Sequence, residues 1–301
     1  AAACALIYLV AKRLFGQSVA RLSAGFGAVS FPMVFAATAM GHQAMDLVWT
    51  LAVVWCLLKY LDAPARWGRW IVGIGLLLGW AALTREGHIA FWVVLIGWFL
   101  LGMRVKLGWR RALLHVFGLS LGFLVVLLPF IRGGGEGIFD RLDHLWFLYE
   151  HTATHINTWF NPWRNPDAAW VLFQGQPLTV MVKVGEAMVG NFNAMFLNQD
   201  YGLFDPVFLV RGSPYYYGMW FYAFSLAFFG LGVVCWRAFR RPVECLDGWL
   251  IIVLLASRTA VHLVLTSAYR YRVPLEPYLI MLAAVGLTQL LSAARREGTE
   301  T

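Results

Sequence analysis

Apolar runs of about 15–20 residues, separated by short polar or basic stretches, recur along most of this chain. They cover roughly residues 22–39, 47–61, 70–84, 88–103, 112–131, 217–236, 248–266 and 274–293. A membrane crossing needs about 20 predominantly apolar residues in a helix. The longer runs meet that length, and the shorter ones must extend into the interface or tilt little. The opening run AAACALIYLV ends at Lys12 and Arg13 and is too short to cross alone. It has no basic leader or cleavage site of a signal peptide and reads as the tail of a helix beginning upstream. Only Arg85, Glu86 and Gly87 separate 70–84 from 88–103, which predicts a helical hairpin. The pattern therefore predicts an all-α polytopic membrane bundle, with about eight full transmembrane helices and an N-terminal stub.

One stretch departs from it. Residues 132–216 are polar, aromatic and rich in turn signals (RGGGEG, FNPWRNP, QGQP, RGSP). They predict a long outward-facing region between N-terminal helices at 1–131 and C-terminal helices at 217–301. Within it, LTVMVKVGEAMVGNFNAMFL (178–197) suits an interfacial or partly inserted helix. Long loops on a helical scaffold tend to carry function.

Composition sharpens the class. The chain has 301 residues, 60% of them hydrophobic and 13% charged, against about a quarter charged in soluble domains. The net charge of +8 sits in short loops, which makes it a topology signal and argues against nucleic acid as a partner. Basic residues cluster at Lys12–Arg13, Arg104–Arg111, Arg237–Arg241 and Arg295–Arg296. By the positive-inside rule these ends are cytoplasmic, as is the C-terminus. The four cysteines show no disulfide framework.

On that topology unusual polar residues gather on the outer face. In ATAMGHQAMD, His42 and Asp46 stand at i, i+4; Asp46 reads either as an N-cap or as a site carboxylate. In LTREGHIAF, Arg85 and Glu86 could cap or pair structurally, or Arg85 could meet an anionic phosphate. The long region opens with Asp140, His144, His151 and His155 along one helical stripe, and His151 with His155 could chelate a metal. Arg258 and His262, four apart in the run 248–266, would lie at membrane depth, where an arginine needs a partner, a cavity or a ligand. Finally, TSAYRYRVPLEPYL places Arg270 and Arg272 at the outer mouth of the last run. The residue before Pro274 favours extended backbone, which would aim both arginines to one side as a phosphate clamp or a headgroup anchor.

The runs ATAMGHQAMDLVW, GLLLGWAALTREG and RYRVPLEPYLIMLAAVGL together resemble the GT-C membrane glycosyltransferases, in particular the family 39 and RgtA-like enzymes that use polyprenyl-phosphate sugars. The resemblance implies a sugar donor linked to a polyprenyl phosphate, a glycan, lipid or protein acceptor, and an active site on the outer face of a bacterial inner or plasma membrane. It also implies direct displacement with a carboxylate base. The family's main base lies in a first outer loop that would precede Ala1, leaving Asp46 as a supporting acid. Arg270, Arg272 and Arg85 are then the donor-phosphate ligands, with His42, Glu86, Arg258 and His262 as secondary candidates. A divalent ion such as magnesium or zinc is compatible with that chemistry, and no residue pattern demonstrates one. The rival class is a transporter or flippase for a phosphorylated lipid, against which the large aromatic loop and the lack of an internal repeat argue.

Overall fold

The computed structural model describes residues 1–30, 33–34, 37, 42–62, 68–85, 87–132, 178, 188, 214–241, 245–264 and 273–297. Every regular element among the described residues is helical. In order they are α1 (Ala2–Phe15), α2 (Gln17–Val29), α3 (His42–Asp62), α4 (Gly68–Thr84) and α5 (Gly87–Trp98). A π-helical turn (Phe99–Met103) leads into the short α6 (Arg104–Leu107), then α7 (Trp109–Arg132) and α8 (Pro214–Arg240). The chain continues with α9 (Leu246–Val264), a 3-10 turn (Val273–Leu275) and α10 (Glu276–Glu297). Among the described residues, Gln43–Asp62, Gly87–Leu107, Trp109–Pro129 and Glu276–Arg295 are long and apolar enough to cross a membrane, and Trp70–Thr84 is a shorter apolar helix.

Breaks fall where the chain chemistry permits them. Gly16, at φ 90°, separates α1 from α2, and Gly108, at φ 77°, separates α6 from α7. Both conformations are open to glycine and strained for other residues. The second helix starts earlier than the apolar run at 22–39 suggests: once Gly16 has turned the chain, the polar QSVARL is already helical and Arg21 lies on its exposed side. It ends at Val29, where Ser30 turns extended. The expected hairpin is present, with α4 ending at Thr84 and α5 starting at Gly87.

The chain divides into two compact units. One comprises Ala1–Val126, Gly202–Arg258 and Val273–Thr301; the other comprises Leu127–Tyr201 and Thr259–Arg272. In the second, the described residues are the ends of α7 and α9 together with Leu178 and Met188, so the region 132–216, expected to face outward, lies almost wholly outside the described residues.

The larger unit packs α1 against α2 and α3, α3 against α4, and α8 against α10, with α2 also on α10. Val19, Ala284 and Val285 form a small buried cluster flanked by Phe15, Leu22 and Val233, tying α2, α8 and α10 together. Two crossings are close enough to require glycine. A Cβ on Gly230 would drive into the Leu282 carbonyl, and one on Gly286 into the Leu226 carbonyl. Gly75 and Gly122 do the same for α4 and α7, against the Leu119 and Val72 carbonyls. In a bilayer, where burial from water does not drive helices together, such small-residue contacts let backbones approach and gain dispersion energy.

At one end of this unit Arg13 Nε donates to Asp62 Oδ1 at 2.7 Å, and its Nη1 lies 3.5 Å from Asp247 Oδ2. These groups join the C-terminus of α1, the C-terminus of α3 and the N-terminus of α9. Each is about a third exposed, and ion pairs in contact with water contribute little. Arg13→Ala is therefore expected to change the unfolding free energy by less than about 1 kcal/mol, checked by denaturation of the purified protein in detergent. Deeper along α3, buried Tyr60 shares a 2.6 Å hydrogen bond with His115 Nδ1 of α7, and both rings meet Phe99 edge-on at the π turn.

Candidate functional site

A second polar cluster lies at the other end of α3. Asp46 and Asp62 are sixteen positions apart on one helix, which at 1.5 Å per residue separates them by about 24 Å. That is most of the thickness of a hydrocarbon core. Asp46 and His88 are fully buried, and Arg85 and Arg258 nearly so. Four segments meet here: the second turn of α3, the break after α4, the first turn of α5 and the later half of α9.

The carboxylate is saturated with donors. His88 Nε2 lies 2.6 Å from Asp46 Oδ1, Arg85 Nη1 lies 3.2 Å from Oδ2, and Arg258 Nη2 lies 3.4 Å from Oδ1. Thr50 Oγ1 donates to the Asp46 carbonyl at 2.7 Å and accepts from Arg258 Nη2 at 3.3 Å. The tautomer of His88 follows from this network. Nε2 carries the proton that it gives to Asp46, and Arg258 Nη2 lies 3.0 Å from both ring nitrogens. Two guanidiniums and one imidazole thus meet on the Asp46 carboxylate. Gly87 makes room for this: a Cβ there would stand 2.8 Å from Arg258 Nη1. Tyr278, from the first turn of α10, is also fully buried.

Of the residues singled out in the sequence, Asp46, Arg85 and Arg258 thus converge. Asp46 is not an N-cap: α3 begins at His42, so the carboxylate sits one turn inside the helix and points into the bundle. His42 and His262 lie on α3 and α9, with side chains outside the described set. Glu86, Arg270, Arg272, His151 and His155 lie outside the described residues altogether. His88, Thr50 and Tyr278 were not singled out. His88 stands three positions after Arg85 across a turn, a spacing that could have paired them. A lone Thr or Tyr in an apolar run carries no such signal.

This donor set does not fit a divalent cation. A hard or borderline cation takes carboxylates and neutral imidazoles with free lone pairs; here a single carboxylate is already shared between two arginines and a histidine. Among the described residues, no three His, Cys, Asp or Glu side chains group to hold a metal. What the cluster can do is meet an anion, because two guanidiniums come together in a water-poor interior.

Residues 1–131 match the family model of the dolichyl-phosphate-mannose-protein mannosyltransferases. That stretch contains Asp46, Arg85 and His88, three of the four charged or imidazole groups of the cluster. The match supports a membrane glycosyltransferase of the GT-C superfamily, in keeping with the helical scaffold and its apolar spans. No curated protein and no solved structure matches the chain significantly.

Proposed function

We propose that this chain transfers a sugar from a polyprenyl-phosphate-linked donor to an acceptor hydroxyl at the outer face of a membrane. The observation that carries the reading is the buried cluster itself. Two buried guanidiniums converge on one carboxylate, and such paired forks suit a phosphate that gains charge as it leaves. In the reaction a carboxylate removes the acceptor's hydroxyl proton, and the freed oxygen bonds to the anomeric carbon. The bond from that carbon to the phosphate oxygen breaks, and the lipid phosphate departs with the electron pair.

Asp46 is poorly placed to be the base. An ionised carboxylate offers about four lone-pair sites, and those of Asp46 are directed at His88, Arg85 and Arg258. Its role is to position the two arginines, and proton removal falls to another carboxylate. Arg270 and Arg272 serve as further phosphate ligands in this scheme.

The test is transfer of a radiolabelled sugar by the full-length protein from a polyprenyl-phosphate donor. Label should move to an acceptor in the wild type, and Arg85→Lys should lower the rate at limiting donor about tenfold or more, because a point charge replaces a planar fork. Movement of phosphorylated lipid across the bilayer with no sugar transfer would overturn the enzyme reading in favour of a flippase.

A further inference from the structure

The segment that joins α5 to α7 carries charge that no protein group answers. Arg104, Lys106, Arg110 and Arg111, all exposed, stand on either side of the turn at Gly108. No aspartate or glutamate occurs between Gly87 and Gly135. Among the described residues, none of these four side chains makes an ion pair or a hydrogen bond. The other basic ends differ. Arg13 is shared by Asp62 and Asp247, Arg240 lies over the Trp236 ring, and Arg241 and Arg295 make contacts of their own. The two long apolar helices Gly87–Leu107 and Trp109–Pro129 both end at this elbow. The hydrogen bond between Tyr60 and His115 holds it beside the end of α3 opposite Asp46, remote from the cluster there.

We propose that this elbow docks an anionic phospholipid of the surrounding bilayer. Arg110 heads a face of α7 that continues through Leu114, Phe117, Leu121 and Leu124, at spacings that stay on one side of a helix. These apolar side chains are all exposed. From Leu114 to Leu124 the face runs about 15 Å at 1.5 Å per residue, roughly half of a hydrocarbon core and hence one leaflet deep. Trp109, also exposed, stands at its head, where indole rings favour the headgroup level. An acyl chain can lie along the apolar face while the headgroup phosphate meets Arg110, with Arg104, Lys106 and Arg111 adding to the field around it. A zwitterionic lipid fits the same face, but its ammonium offsets its own phosphate. The unanswered cations therefore select a lipid of net negative charge. This docking does not depend on the reaction proposed for the Asp46 cluster.

The probe is dioleoyl phosphatidylglycerol, titrated into the full-length protein in a neutral detergent, with bound lipid counted by mass spectrometry of the intact complex. Dioleoyl phosphatidylcholine and glycerol 3-phosphate are run alongside. The wild type is expected to hold phosphatidylglycerol about tenfold or more tighter than phosphatidylcholine. One basic residue at a membrane surface contributes a factor of about five to the binding of anionic lipid. Arg110→Gln and Arg111→Gln should each lose about that factor for phosphatidylglycerol, and the double variant about twentyfold, with phosphatidylcholine unchanged. Both side chains are exposed, so the unfolding temperature without lipid should barely move. Arg21→Gln removes an exposed charge from α2, where no basic residue adjoins it, and should cost less than about twofold. Equal affinity of the wild type for the two lipids, or unchanged affinity in the double variant, would overturn the proposal. So would equal losses in Arg21→Gln and Arg110→Gln, because net charge alone would then account for binding. Displacement of the lipid by glycerol 3-phosphate at matched concentration would also overturn it, since the apolar face would then hold nothing.

Discussion

Asp46→Asn is expected to destabilise the protein by about 3–5 kcal/mol, the range for removing one partner of a buried ion pair, and to abolish sugar transfer. The substitution keeps the shape of the side chain and removes its charge. Two guanidiniums inside the bundle then lose the carboxylate they share, and an amide nitrogen in place of Oδ1 faces the donating Nε2 of His88. Unfolding of the full-length protein in detergent measures the loss. Because the cost comes from the loss of that shared partner, Asp46→Asn combined with Arg258→Gln should lose much less than the sum of the two single changes. Additive losses would mean that Asp46 and Arg258 are not coupled, and the site as described would be wrong.

The other large effect concerns the crossing of α8 and α10. Gly230→Val places a branched side chain where the Leu282 carbonyl already stands. Backbone cannot swing aside as a side-chain tip can, so the helices must separate and lose contact along Ala283, Ala284 and Val285. The expected loss is at or above the upper end of the about 1–3 kcal/mol usual for overpacking, with Gly230→Ala smaller. Gly232 provides the contrast: no atom lies within 4 Å of a Cβ built there, so Gly232→Ala should be nearly silent. Equal unfolding shifts at 230 and 232 would contradict the crossing.

Much of the architecture was legible before any coordinates. Long apolar runs specify helices in a bilayer because no other open segment satisfies its backbone there, and the Arg85–Gly87 interruption marked the hairpin turn. The charged members of the site were also visible one by one, since an Asp or Arg inside an apolar run is costly without a purpose. Their convergence was not. Asp46 meets Arg85 across 39 positions and Arg258 across 212, and no local pattern reports such distances. Arg258 stands four residues before His262 on the same helix, and its described partners come from α3 and α5. His88 escaped notice because an imidazole beside apolar residues reads as ordinary core until its neighbour is known. The glycines at the two crossings had the same ambiguity, because composition alone does not say which of them faces another backbone.

The room left by Gly87 for the Arg258 guanidinium bears on how the protein is made. The ribosome delivers Asp46, Arg85 and His88 together, long before Arg258. The early helices can thus enter the bilayer with Asp46 already able to meet Arg85 and His88. Arg258 arrives later on α9, and its berth over Gly87 is already built. A side chain at 87 would crowd that late docking and oblige the tip of Arg258 to shift, without disturbing the earlier step, so its effect would surface only after most of the polypeptide had been synthesised.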